Sequence, residues 1–139
     1  MTKERLKSPP SVLLRAALWV AQVIVCLVYV MIGYIKLSTP ISALSRMMAW
    51  TGQYPEYFVR GIGAIDVLGG IGILLPALTR IRPRLGVLAA LGCTLVQVLA
   101  IIFHFSRGEA AETQLNFVLL PLCAFVLWGR WKRAPIPSR

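Results

Sequence analysis

Asp66 sits near the middle of an apolar, glycine-rich stretch, residues 59–78, and any chemistry this chain performs has to be organised around it. A carboxylate can accept a proton, pair with a cation, or accept hydrogen bonds from a ligand. About twenty apolar residues at 1.5 Å each cross the ~30 Å hydrocarbon core of a bilayer. A charged side chain at that depth costs roughly 2.5–3.5 kcal/mol on insertion scales, so it is kept to hold helices together or to bind something. Gly63, Asp66 and Gly70 fall on one helix face. Small residues on that face let a neighbouring helix close in, which turns Asp66 into a bundle and away from lipid.

Other polar side chains recur at helical spacing. Gln22, Cys26, Tyr29, Gly33 and Lys36 form one stripe at steps of three and four. Gly86, Ala90, Cys93, Gln97, Ala100 and His104 form a second, and Asn116, Leu120, Cys123, Leu127 and Arg130 a third. Counting helical rise puts Asp66 and Gln97 near the membrane midplane, Tyr29 and Asn116 one to two turns further out, and Lys36 and His104 near the outer edge. Gln22 and Arg130 fall in the inner half. If each stripe turns inward, Tyr29, Lys36, Asp66, Gln97, His104 and Asn116 line a pocket in the outer half. Such a pocket suits a ligand with a polar head and an apolar tail: a quinone, a lipid or a hydrophobic small molecule. Asp66 would be its proton acceptor or hydrogen-bond partner.

The same residues also admit a purely structural role. Lys36 can reach down to pair with Asp66, or the carboxyl can sit in the bundle as a neutral acid. The amide and phenol groups can bond across helices, at ~0.6 kcal/mol each in membrane proteins. His104 reads more simply as an interfacial residue than as a ligand, and Arg130 as a flanking charge. A single histidine with no second ligand at matching depth argues against a metal site. No catalytic constellation and no redox centre is encoded, so an accessory or binding protein is expected in preference to a self-contained enzyme.

The elements that position these residues are four long apolar helices. Residues 1–11 form a basic tail with Lys3, Arg5, Lys7 and a Pro9-Pro10 break. They resemble a signal-peptide start, but the apolar run over residues 12–37 is too long for a cleaved segment and reads as the first transmembrane helix. Pro40 stops it. Residues 41–56, with Trp50 and Tyr54, read as a short amphipathic helix lying at the interface. The second helix runs over about residues 57–78, with Pro76 near its end. The arginine-rich turn at 79–84 forces the third helix, 85–105, to return beside it. A short loop leads to the fourth helix, about 113–131, which Pro121 is expected to kink. The chain thus divides into a basic tail (1–11), a membrane domain (12–131) and a second basic, disordered tail (132–139).

With 139 residues and 58% hydrophobic composition the chain is one domain, too apolar for an ordinary soluble protein. The net charge of +10 does not point to nucleic acid, because the charges flank apolar stretches and no basic-aromatic module can be delineated. Of the fifteen lysines and arginines, eleven lie on the terminal flanks and in the second loop, against four around the first and third loops. The positive-inside rule then puts both termini in the cytoplasm of a multi-pass inner-membrane protein. Cys26, Cys93 and Cys123 lie singly in different apolar stretches, without CxxC or Cys/His spacing, and read as small packing residues.

Gly33-Tyr34-Ile35-Lys36-Leu37 resembles the G-x-x-K-L signature of DoxX-like membrane proteins, and Gly61-Ile62-Gly63-Ala64-Ile65-Asp66 is similar to that family's glycine-rich segment ending in an acid. Trp19 with Gln22, Pro76, His104, Asn116 and Trp128-Gly129-Arg130 follow in similar order. The family's acid is more usually glutamate; here it is one methylene shorter. The resemblance implies a four-helical fold. Relatives are linked to terminal quinol oxidase, to thiosulfate oxidation with quinone as acceptor and to oxidative-stress complexes. A similar pattern occurs in an animal chaperone for nicotinic receptors. Two readings stay open: an accessory subunit with a quinone- or lipid-like ligand and a membrane redox partner, or a non-catalytic assembly protein with a client. Beyond the lipid bilayer, a homo-oligomer is a further partnership compatible with either. The fold expected is an all-α, four-helix transmembrane bundle, N-in and C-in, with an interfacial helix in the first outer loop.

Overall fold

The computed structural model describes residues 8–139, all in helices, turns and connecting segments. Lys3, Arg5 and Lys7 of the expected basic tail lie outside the described residues. The α-helices are α1 (Val12–Ser38), α2 (Ile41–Met47), α3 (Glu56–Thr79), α4 (Arg84–Ser106) and α5 (Gln114–Trp128). Two 3-10 turns, Ala49–Gly52 and Ala110–Thr113, and a π-helical turn, Gly129–Arg133, complete the elements. Four segments are long and apolar enough to cross a membrane: Val12–Ser38, Glu56–Thr79, Arg84–Ser106 and Ala110–Arg133. They are the four expected spans.

The helix ends follow from local chemistry. Ser11 is extended, and its hydroxyl accepts from the Leu14 N–H at 3.1 Å, the ordinary N-cap arrangement. At the far end of α1 the Arg60 guanidinium donates to the carbonyls of Lys36 and Thr39, the latter at 2.8 Å. That puts a cation where the helix dipole is negative and where carbonyls lack intrahelical partners. Glu56 holds Arg60 in place at 2.9 Å from one turn earlier in α3. Between α3 and α4 the chain reverses through Arg80 and Arg82, both in the left-handed region at φ 57° and 47°. Few non-glycine residues adopt that conformation, and here it makes a turn short enough to hold α3 and α4 antiparallel.

Each spanning helix packs on its two neighbours in a closed ring: α1 on α3, α3 on α4, α4 on α5, and α5 back on α1. Val25, Tyr29, Ile73, Cys93, Leu119 and Cys123 are buried at the centre, while the outward faces are apolar and exposed, as in a helix surrounded by lipid. The three cysteines are free thiols within this packing. α1 and α3 approach closest. A Cβ added to Gly33 would lie 2.6 Å from the Gly63 carbonyl oxygen, and one added to Gly63 would lie 2.8 Å from the Lys36 Cβ. The two backbones are in direct contact, which glycine alone permits.

The first loop is as expected in carrying a short helix, α2. α2 is seven residues long, and the 3-10 turn after it folds over the end of the bundle, burying Leu44 and Thr51 completely. Two expectations require correction. The last span is not one helix over residues 113–131: it opens with a 3-10 turn and closes with a π turn, in which the Ala134 N–H reaches the Gly129 carbonyl at 2.7 Å. Leu18 lies against the bare Gly129 backbone and the wider turn swings Arg130 inward. The segment after Arg130 is not a free tail. Ala134 is buried and the Arg139 N–H bonds the Arg80 carbonyl at 3.1 Å, because the turn leaves carbonyls unpaired there.

Candidate functional site

At the end of the bundle covered by α2, a cavity of about 630 Å³ is lined by Tyr29, Lys36, Asp66, Gln97, His104 and Asn116. All six residues singled out from the sequence therefore face one space, and they come from α1, α3, α4 and α5. Met47, Met48, Trp50, Phe58 and Phe103 supply an apolar and aromatic roof.

The polar groups form three sets. Lys36 Nζ donates to Asp66 Oδ2 at 2.7 Å, with side chains only 11% and 6% exposed. Among the described residues Lys36 is the hydrogen-bond partner of Asp66, and the ammonium also lies 5.7 Å from the Trp50 ring centre. An ion pair with an aromatic face over its cation is compatible with a low-dielectric site. The pair stands at the glycine seam because Gly33 and Gly63 bring α1 and α3 close enough for a salt bridge between them.

The second set is a chain of hydrogen bonds across three helices. Asn116 Nδ2 donates to Gln97 Oε1 at 2.7 Å, Gln97 Nε2 to the Tyr29 hydroxyl oxygen at 2.5 Å, and the Tyr29 hydroxyl to the Cys93 carbonyl at 2.9 Å. Tyr29 and Asn116 were expected one to two turns further out than Gln97; the three side chains instead meet at one level. Side chains on a helix lean toward its N-terminus, so the long phenol of Tyr29 reaches back along α1. The 3-10 turn at Ala110–Thr113, with its larger rise per residue, carries Asn116 deeper than a count of α-helical rise predicts.

The third set closes the cavity toward the last loop. His104 Nδ1 lies 3.1 Å from Glu109 Oε2, and Arg107 Nη2 donates to Glu109 Oε1 at 3.0 Å. Arg107 also donates to Gln53, linking this loop to the one after α2, and its guanidinium sits 5.2 Å from the Phe103 ring centre. The Arg107 guanidinium, and then His104, hold the Glu109 carboxyl below the usual carboxylate range. A lowered folded value means that the contribution is fully present above the ordinary value of 4.5 and is lost as pH falls through the lowered one. Hydrogen exchange of residues 104–113, compared at each pH with Glu109→Gln, should show the wild-type loop losing its extra protection on acidification. Equal protection at every pH would remove the cluster as a loop clasp.

The opposite end holds a smaller network that stripe counting only half anticipated. Gln22 Nε2 donates to the Ile73 carbonyl at 2.7 Å, and Arg130 Nε donates to Gln22 Oε1 at 2.7 Å. Arg130 is 7% exposed and stacks 4.9 Å from the Trp19 ring centre, so it is not the flanking charge expected. Spacing alone placed Arg130 on the inward stripe, but not the π turn that buries it. The sequence reading also missed Trp50 and Phe103 as cavity walls and Arg60 as the cap of α1. The signal for Trp50 and Phe103 was aromatic character beside Lys36 and His104 in the fold, which no local spacing records. Arg60 follows Glu56 by one helical turn, and that spacing was legible.

The fold and the site together define a polytopic membrane protein: four apolar helices around a polar cavity at one end. The model of the DoxX-like family matches residues 20–126, most of the chain and both glycine-containing motifs, and the chain belongs to that family. No curated protein and no solved structure matches it.

Proposed function

We propose that this chain is an accessory protein of the inner membrane that binds an amphipathic ligand of the quinone or lipid class in the cavity beside Lys36 and Asp66. The carrying observation is convergence: four helices direct Tyr29, Lys36, Asp66, Gln97, His104 and Asn116 to one cavity, whose other walls are apolar and aromatic apart from Glu112 at its loop side. Small-molecule sites have that composition, a mostly apolar surface with a few placed polar groups, and ionisable residues within a membrane mark functional sites by default. Lys36 offers donors and Asp66 an acceptor to a polar head. Ile65 and Leu99 line the cavity and are also exposed on the outer surface, a route by which an apolar tail leaves toward lipid. The distribution of lysine and arginine supports cytoplasmic termini, which faces the cavity away from the cytoplasm. A redox role needs a partner carrying the electron-transfer centre.

The closed chain from Asn116 through Gln97 and Tyr29 to the Cys93 carbonyl favours a second reading. These groups satisfy one another, as bundle-holding residues do, and a structural core of this kind fits an assembly protein acting on a membrane client. Mass spectrometry of the organic extract separates the two. Wild type is compared with Asp66→Asn, which removes the charge, and with Ala100→Phe, which fills the cavity and leaves its polar groups in place. A quinone or one specific lipid should be present in wild type and lost from both variants. Bulk phospholipid alone in all three would overturn the ligand site and leave the assembly role.

A further inference from the structure

At the terminal end of the bundle a second cavity, of about 1030 Å³, is lined by Gln22, Arg82, Arg84 and Arg130 on its polar side. Among the described residues no carboxylate lines it; Glu56, Asp66, Glu109 and Glu112 all belong to the other half of the bundle or its loops. Three guanidinium groups in one space without an anion repel one another unless something negative joins them. Arg130 adds an independent observation. It is more than nine-tenths buried, its Nε and Nη1 are spent on Gln22 and on the Ala134 carbonyl at 3.2 Å, and its buried Nη2 has no hydrogen-bond partner among the described residues. An unpaired donor on a buried cation is costly, and the missing partner is an acceptor.

We infer that this cavity is a binding site for a phosphate group, held by Arg82, Arg84 and Arg130 and carried by an anionic phospholipid. Guanidinium groups match phosphate oxygens in geometry as well as charge. The lipid source follows from the wall beside the arginines. Leu85, Leu88 and Leu91 line the cavity and are exposed on the outward face of α4, an apolar track roughly 9 Å long by helical rise. A phosphate at the arginines with an acyl chain along that track fits both surfaces at once. The terminal segment takes part, since Pro135, Ile136 and Ser138 form the far wall.

The test is native mass spectrometry of the full chain in mild detergent, titrated separately with short-chain phosphatidylglycerol, short-chain phosphatidylcholine and inorganic phosphate at constant ionic strength. Phosphatidylglycerol should be retained in preference to phosphatidylcholine. Arg82→Gln with Arg84→Gln, both exposed side chains whose replacement keeps a long polar residue in the turn, should weaken phosphatidylglycerol binding by roughly tenfold or more with the helical circular dichroism unchanged. Arg130→Lys, which keeps the charge and loses the planar fork, should weaken it with the helical circular dichroism unchanged. Inorganic phosphate bound as well as the lipid, and lost in the same variants, would keep the phosphate site and assign it to a water-borne anion. Equal retention of the two lipids with no phosphate binding, or unaltered binding in the Arg82→Gln, Arg84→Gln protein, overturns the inference.

Discussion

Asp66→Asn should lower the unfolding free energy in detergent by about 3–5 kcal/mol, the usual cost of removing one partner from a buried ion pair. The loss comes mostly from what is left behind. The Lys36 ammonium keeps its burial at 11% side-chain exposure and loses the carboxylate oxygen 2.7 Å away. The Trp50 face 5.7 Å off cannot replace it, because a cation–π contact of this kind contributes only ~0.5–2 kcal/mol. Lys36→Met removes the cation in turn and leaves the carboxylate alone, with a similar loss. The double change, Lys36→Met with Asp66→Leu, removes both charges, and much of the stability should return. Equilibrium unfolding of wild type, the singles and the double gives the coupling directly; Asp66→Leu alone completes the cycle. Additive losses would mean that the two groups do not support each other and would remove the ion pair from the account of this bundle.

Gly33→Ala should cost about 1–3 kcal/mol, the range for overpacking a well-filled interior, and Gly33→Val more. The atom in the way is the Gly63 carbonyl oxygen, 2.6 Å from where the new Cβ would sit. A flexible side chain could turn aside, but a backbone carbonyl moves only with its helix, so α1 and α3 must separate. Separation also lengthens the Lys36–Asp66 contact across the same seam, and ligand retention should fall with stability. Gly92→Ala is the contrast. Nothing lies within 4 Å of its added Cβ, and alanine in a helix interior is favoured over glycine by ~0.8–1.0 kcal/mol. One chemical change should thus have opposite signs at two positions. Thermal unfolding of the two variants side by side decides it, and a stabilised Gly33→Ala protein would show that the seam is looser than described.

Much of this architecture could be read without coordinates, for definite reasons. The spans were legible because twenty apolar residues have few other uses, and the antiparallel α3–α4 pair because the connecting turn is too short for anything else. The meeting of Lys36 with Asp66 was legible as one of two alternatives, since both lie on inward stripes bearing glycine. What stayed hidden depends on contacts between distant residues. Tyr29, Gln97 and Asn116 share a level only after helix lean and a 3-10 turn are included, and uniform rise contains neither. Arg130 is buried because Leu18, on another helix, lies against Gly129 and because Gln22 accepts its Nε–H. The roof over the cavity needs Trp50 and Phe103, which come from segments more than fifty positions apart along the chain.

The glycine seam makes the bundle mechanically uneven. α1 and α3 touch through their backbones and cannot slide without a clash between atoms that do not bend. α5 is built the other way: a 3-10 turn precedes it, a π turn follows it, and Pro121 in its middle leaves the Phe117 carbonyl without an amide partner. Its ladder of backbone bonds is interrupted at three places. An occupant of the kind proposed for either cavity would therefore meet less backbone resistance at α5 than at the α1–α3 seam that carries Lys36 and Asp66.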